Sequence, residues 1–394
     1  MVVRILQISQ ITFFLMLLAI PAAFLNHDKG KVIKLEKRQV TPKPEFFHNG
    51  ELNRDFSSLF DKFWNDNVGW REEAIALKKI LAFTVFDRYE DPLFIQGKGL
   101  HLYYTGHNLV LTKNVQGTNH ISADEIRRQA GFLSTTHNYF KMRGIPFVFV
   151  GIPDKERVYP EYYPEGVVQR PERRPPLESV MLFAQMHTPV RILNMLPILE
   201  SHRHGNDELL YFKNDDAAHW NPRGAFIGFQ SMVKVLNSIH PGARELQESD
   251  FINEPVETRK FIEFPSGPNY PLPFSEVYYR YVFKEKDTFI KRPVDDLLPI
   301  GSYGEFHKTR AAYFVNPANK GRPKILLIGD SYVYTFLLPN FARSYSEVLY
   351  IHYSSAPLIK QATEKLSPDI VMMEQVERMF YYRHARFDYL AELR

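Results

Sequence analysis

No cysteine occurs in the 394 residues. That excludes disulfides, thiolate-ligated metal sites and a cysteine nucleophile together. Charge of one sign is also scarce. The formal net charge is +4, and only "RPERRPP" at 170–176 concentrates cations. The basic footprint of a nucleic-acid binder is therefore missing, and the mild excess suits an anionic polymer instead. No repeat period is visible, which sets aside solenoids and propellers. Long hydrophobic runs are absent save one, "ILQISQITFFLMLLAIPAAFLN" after Arg4. Its length is sufficient to span a bilayer. We expect an uncleaved N-terminal membrane anchor over residues 1–28, with the short basic flank inside and the body exported from the cytoplasm. The alternative is a signal peptide cleaved near "IPAAF".

With 44% hydrophobic residues, the chain can bury a sizeable core in two domains or one elaborated domain. Residues 29–120 read as a proline-punctuated linker at 27–46 followed by a helical and β region. Its amphipathic stretch 53–83 breaks near Gly69, which predicts two helices. "GKGLHLYYTGHNLVL" alternates as short strands, and "SADE" at 122–125 is a capping box opening a helix that ends at Gly144. "IPFVFVGIP" (145–153) and "PVRILNML" (189–196) are continuous apolar runs, the mark of strands buried on both faces. Asn221 and Pro222 then open a further helix. Residues 250–320, proline-rich and aromatic, predict a β-rich insertion. Strand and helix alternate again from "KILLIGDSYVY" to "PDIVMMEQVERMFYY". The expected fold is thus α/β with a parallel sheet, its catalytic domain occupying 121–394.

Two stretches carry chemistry. In "KILLIGDSYVY" the strand stops at Gly329 and Ser331 opens the next helix. Backbone N–H groups and the helix dipole there can stabilise an oxyanion, and ligands gather at that sheet edge. Asp330 and Ser331 are equally good capping residues. A serine nucleophile needs a base, and the base needs an orienting carboxylate. "KNDDAAHWNPRG" (213–224) offers both, with Asp216 and His219 in an Asp-x-x-His arrangement. Asp215 starts from the opposite side of an extended segment, so the spacing favours Asp216.

Together, "GDS" on a strand-to-helix turn and "DAAH" before "WNPRG" resemble the SGNH hydrolases. The histidine motif here precedes the serine, as in a circularly permuted order. That arrangement, with "FDKFWNDNVGWREEAI", "RGIPFVFVGIPDKERVYPEYYP" and "RPKILLIGDSY" in sequence, resembles the alginate O-acetyltransferases of the AlgJ/AlgX type, and more nearly the membrane-anchored AlgJ type. The resemblance implies a three-layer α/β/α SGNH-like domain. It further implies O-acetylation of an alginate-like exopolysaccharide through an acetyl-serine in the periplasm. The acetyl group would come from a membrane-bound acyltransferase partner of the MBOAT type, alongside other exopolysaccharide-synthesis proteins. Neither a cofactor nor a metal is called for. Two departures stand out. The family's acid and base usually form Asp-x-His, but Ala217 occupies that position, and counting from Tyr211 aligns Asp215 with the family's acid. The Gly-x-Asn block of SGNH hydrolases is also replaced by "MMEQVER".

Further candidates surround this core. Gly329 and Gln375 are candidates for the oxyanion site. Glu374 or Arg378 could equally stand, with Gln375, where the Gly-x-Asn block is missing; Lys155 and Arg157 could meet a uronate carboxylate, with pairing to Glu156 and Glu161 the preferred reading, and Trp220 could stack on a sugar. His202 and His204 read as an ordinary polar His-x-His loop. The same triad would serve a carbohydrate acetylesterase if water were the acceptor, since acceptor choice depends on the cleft. A non-catalytic polysaccharide-binding subunit is the reading from a different class.

Overall fold

The structure, a computed structural model, describes all residues except Met1, 24–31, 34–37, Asn49, Pro92, 107–108, 204–208, 264–266, 299–309, 382–386 and Arg394. The chain divides into two compact units, Met1–Glu90 with Arg259–Pro273, and Asp91–Thr258 with Phe274–Arg394. The boundary falls at residue 90, whereas the sequence places the start of the catalytic domain at 121.

In the first unit three helices form, α1 (Val2–Ala23), α2 (Phe56–Asn67) and α3 (Arg71–Phe86). Trp70, at φ 59, supplies the left-handed turn that separates α2 from α3, so the predicted break near Gly69 falls one residue later. The anchor is not supported: among the described residues, no helix is long and apolar enough to cross a membrane. The predicted linker at 27–46 lies partly outside the described residues.

The second unit begins with the hairpin β1 (Phe94–Gln96) and β2 (Leu102–Tyr104), and continues through α4 (Ala123–Lys141), β3 (Phe147–Ile152), α5 (Pro176–His187), β4 (Arg191–Asn194) and α6 (Pro222–Ile239). The capping expected at Ser122 is present, its side chain accepting from the Glu125 N–H at 3.2 Å. Where strands are expected up to residue 111, Val110–Val115 is instead a short helix. The region predicted to be β-rich contains the paired strands β5 (Phe251–Ile262) and β6 (Tyr270–Phe283), then β7 (Ile290–Arg292) and β8 (Ala311–Val315). There follow β9 (Lys324–Gly329), α7 (Ser331–Phe336), α8 (Leu338–Ser344), β10 (Glu347–His352), α9 (Ile359–Leu366) and β11 (Ile370–Val376), with short 3₁₀ turns at Glu377–Tyr381 and Phe387–Leu393 beyond.

A seven-stranded sheet in the order β7-β8-β10-β9-β11-β3-β4 organises this unit. From β10 to β4 all neighbours are parallel, while β7 and β8 add an antiparallel edge. The central strands are buried throughout, as in Phe147–Ile152 and Ile370–Val376. That is why they read as unbroken apolar runs: helices cover both faces. Alternation along each strand sends side chains to two cores. Ile325, Leu327 and Met372 pack with α6, Trp220 and Tyr332. Leu326, Ile328 and Met373 pack with α4, α5 and α9. The result is a three-layer α/β/α arrangement in which β9 is central, and the turn after it opens at the carboxyl edge of the sheet.

Candidate active site

The β9–α7 turn is held by buried groups. Asp330 caps α7: one carboxylate oxygen accepts from the Tyr332 N–H at 3.0 Å, and the other from the Val376 N–H at 2.8 Å. Its own N–H donates to Glu374 Oε2 at 3.1 Å, and the Tyr350 hydroxyl donates to the carbonyls of Gly329 and Asp330 at 3.1 and 3.0 Å. A side chain at Gly329 would place its Cβ 2.7 Å from Glu374 Oε2, so glycine is needed here for close approach. Burial pushes the carboxyls of Asp330 and Glu374 upward, that of Glu374 well above its usual range. A short turn locked on all sides presents Ser331 in one orientation.

The histidine loop is set by its exit into α6. Asn221 accepts from the Gly224 N–H at 3.0 Å, satisfying an orphan donor of the first helical turn. Trp220 is fully buried, and a Cβ on Gly228 of α6 would come within 2.7 Å of its ring. Ahead of it the His219 N–H returns to the Asp216 carbonyl at 2.9 Å, closing a tight turn. That turn brings side chains three residues apart onto one side. Both carboxylate oxygens of Asp216 lie 2.9 Å from His219 Nδ1, and His219 Nε2 lies 2.8 Å from Ser331 Oγ. A carboxylate can only accept, which assigns the proton to Nδ1 and leaves Nε2 free to take the serine proton. Desolvation raises the Asp216 carboxyl, but the hydrogen bond and charge of His219, with Arg378 behind, outweigh it and leave the pKa lowered. The Asp216 side chain is 44% exposed and that of His219 17%, so the constellation is open to solvent on one side.

Asp215 is placed differently from Asp216. Its backbone N–H, with those of Lys213 and Asn214, donates to the carboxylate of Glu276. Nothing in the sequence marks Glu276, which stands in the β-rich insertion far from the motif it holds. Tyr332 is likewise unmarked. Its hydroxyl donates to the Ala218 carbonyl at 2.8 Å and accepts from Arg378 at 3.1 Å, so the residue after Ser331 is tied to the residue before His219.

Most of the outlying candidates are engaged within the fold. Lys155, a candidate for a uronate or for a local acid, is buried and donates to the carbonyls of Leu102 and Lys213 at 2.7 and 2.8 Å. Arg157 pairs with Glu178 at 2.6 Å. Arg378 is buried against Asp154, to which both its guanidinium and its N–H donate. Trp220 packs inside the core, its ring tilted against that of Tyr332 at 5.1 Å, and offers no face to a sugar. Gln375 is buried and alternates with Glu374 and Val376 along β11. It therefore projects toward the α4, α5 layer, away from the face on which α7 packs. The Gly329 carbonyl accepts from Tyr350. His202 Nδ1 meets the Ile198 carbonyl at 2.8 Å, and His204 lies outside the described residues. Among the described residues no cluster of His, Asp or Glu could hold a metal ion.

Comparison with known proteins places this geometry in context. Residues 104–262 match the family model of the SGNH hydrolase-like domain of the acetyltransferase AlgX. That span includes Asp216 and His219 and ends before Ser331. No curated protein matches the chain in sequence. Among solved structures, Bacillus cereus PatB1 is similar at a TM-score of 0.54 and 15% identity, over 75% of this chain and 99% of that one. That likeness is one of fold. Pseudomonas aeruginosa AlgX (TM-score 0.44, 15% identity, 80% of this chain and 70% of that one) and the O-acetyltransferase domain of Pseudomonas putida AlgJ (0.42, 15%, 77% and 99%) are more distant.

Proposed function

We propose, from the match of residues 104–262 to the SGNH hydrolase-like domain of the acetyltransferase AlgX, that this chain is an acyltransferase that O-acetylates hydroxyls of an exopolysaccharide through an acetyl-serine. The observation that carries the proposal is the continuous chain from Asp216 through His219 to Ser331. In it Ser331 Oγ attacks the carbonyl of an acetyl donor while its proton passes to His219 Nε2. Asp216 holds the imidazole and balances the charge that forms. The N–H of Ser331, in the first turn of α7, helps bind the oxyanion. As the tetrahedral intermediate collapses, the leaving group departs with the proton from Nε2. A sugar hydroxyl then gives its proton to the same nitrogen and attacks the acetyl-serine, and on collapse Nε2 returns the proton to Ser331 Oγ, releasing the sugar ester and restoring Ser331.

The polymer we favour is alginate-like and the compartment the periplasm, with the N-terminal segment as an uncleaved anchor in the inner membrane. There a membrane-bound acyltransferase of the MBOAT type would supply acetyl groups, and other exopolysaccharide-synthesis proteins would stand nearby. The exposure of the Asp216 side chain supports a second outcome, esterase activity, because water can reach an acyl-enzyme in an open site. Incubation with a chromogenic acetate ester, with and without uronate oligosaccharides, tests the reading. Acetylated sugar that requires Ser331 supports it. Hydrolysis unaffected by any oligosaccharide makes the protein an esterase, and turnover unchanged in Ser331→Ala removes both.

A further inference from the structure

We propose that Glu276 and Lys155 form a positioning clamp on the histidine loop, two buried side chains, one acidic and one basic, that grip the backbone of Lys213 from either side and so fix Asp216 and His219 relative to Ser331. The inference rests on the reading of that triad as catalytic. Glu276 Oε1 accepts from the Lys213 N–H at 2.5 Å, and Oε2 from the N–H groups of Asn214 and Asp215, both at 3.0 Å. Lys155 Nζ donates to the Lys213 carbonyl at 2.8 Å and to the Leu102 carbonyl at 2.7 Å. The Leu102 N–H reaches that same Lys213 carbonyl at 2.9 Å. Both ends of one residue's backbone are therefore held by ionisable side chains, and the hold ends one residue before Asp216.

The setting makes a packing role a poor explanation. Along β6 the buried positions alternate as Leu272, Phe274 and Glu276, so the period of the strand calls for an apolar residue where the glutamate stands. Glu276 is 8% exposed and Lys155 3%, burial pushes the Lys155 amine down to about 7, and a hydrophobic pair of similar volume would fill the space at less cost. Three successive N–H groups converging on one carboxylate form an anion nest, which specifies the path of the loop rather than its burial. On the other side the ring of Tyr103 lies 4.7 Å from Lys155 Nζ, fixing the direction of the amine. The insertion that carries β6 thereby acquires a role: it delivers the carboxylate that aligns the base. Misplacing a catalytic group by about 1 Å costs on the order of 10²-fold in rate.

The test is burst kinetics with p-nitrophenyl acetate on the full chain, read as burst amplitude, burst rate and KM, with Ser331→Ala as the blank. In Glu276→Gln one acceptor oxygen becomes an NH2 group that faces N–H donors. We expect the burst rate to fall by at least about tenfold at unchanged amplitude and KM. Lys155→Met should behave alike. The double variant should be no slower than the slower single one, because both act through one peptide. Should Glu276→Gln not fold, Glu276→Asp and Lys155→Met are read in the same way. A normal burst rate in these variants overturns the clamp alone. So do a reduced amplitude with surviving sites at full rate, which marks a folding role, and losses that multiply in the double variant. Turnover of the ester by the natural protein with no acetyl on Ser331 after acid quench overturns the acetyl-serine reading and the clamp with it.

Discussion

Asp216 offers both of its carboxylate oxygens to His219 Nδ1 at 2.9 Å, while its neighbour Asp215 donates its N–H to Glu276. Adjacent in sequence, the two aspartates have different partners. We therefore expect Asp216→Asn to lower kcat by about 10²- to 10⁴-fold, as loss of the orienting carboxylate and of the correct tautomer does in serine triads. Asp215→Asn should stay within about threefold, since the backbone N–H that Glu276 holds is unchanged by the substitution and it is the Asp216 carboxylate that meets His219 Nδ1. Steady-state hydrolysis of an activated acetate ester decides the matter. A larger loss in the Asp215 variant would transfer the role of acid to it.

Gly329→Ala addresses the turn beneath the nucleophile. The new Cβ would lie 2.7 Å from Glu374 Oε2, an oxygen held by the Asp330 N–H. We expect a loss of about 1–3 kcal/mol in urea unfolding, the ordinary cost of overpacking a core. An unchanged midpoint would show that Glu374 can swing aside freely.

Tyr332 and Asp154 bear on the buried base of the site in graded fashion. Tyr332→Phe deprives Arg378 and the Ala218 carbonyl of one partner each and should cost about 1–3 kcal/mol. Asp154→Ala leaves the Arg378 guanidinium without its carboxylate and should cost more, about 3–5 kcal/mol. Urea midpoints in the reverse order would contradict this account of what holds the loop.

Glu377 gives a pH signature. Burial pushes its carboxyl from an ordinary 4.5 up to about 8, against the opposing pull of Arg157. Between those values the folded chain keeps a proton that the unfolded chain releases. This group's contribution to stability therefore falls as pH rises through the window. Glu377→Gln mimics the protonated acid at every pH. The difference in Tm, variant minus natural protein, should grow in the variant's favour from pH 5 to pH 9. A difference that is flat or shrinks would contradict the buried, proton-holding state.

What could be read in advance divides along physical lines. The strand at 145–153 and the one before Gly329 were legible because burial on both faces leaves an unbroken apolar run, and the caps at Ser122 and Asn221 because capping is local chemistry. Ser331, His219 and Asp216 could be proposed together because each lies in a short motif whose geometry is set by near neighbours. Glu276 could not: in sequence it is one acid on an amphipathic strand, and only pairing across the fold brings it to Lys213. The surroundings of Lys155, Arg378 and Trp220 are not legible for the same reason, since whether a cation or a ring meets solvent or a buried group is decided by tertiary contacts. Gln375 is a matter of register. One step along β11 exchanges the layer of Tyr332 for that of α4 and α5.

The most direct test of the central claim is peptide mass mapping after brief incubation with an activated acetate ester and acid quench. The account predicts one acetyl group on the peptide carrying Ser331, absent from Ser331→Ala and strongly diminished in His219→Ala, and discharged when an acceptor oligosaccharide is added before the quench. Turnover of the ester with no acetyl on Ser331, or acetylation undiminished without His219, would contradict it.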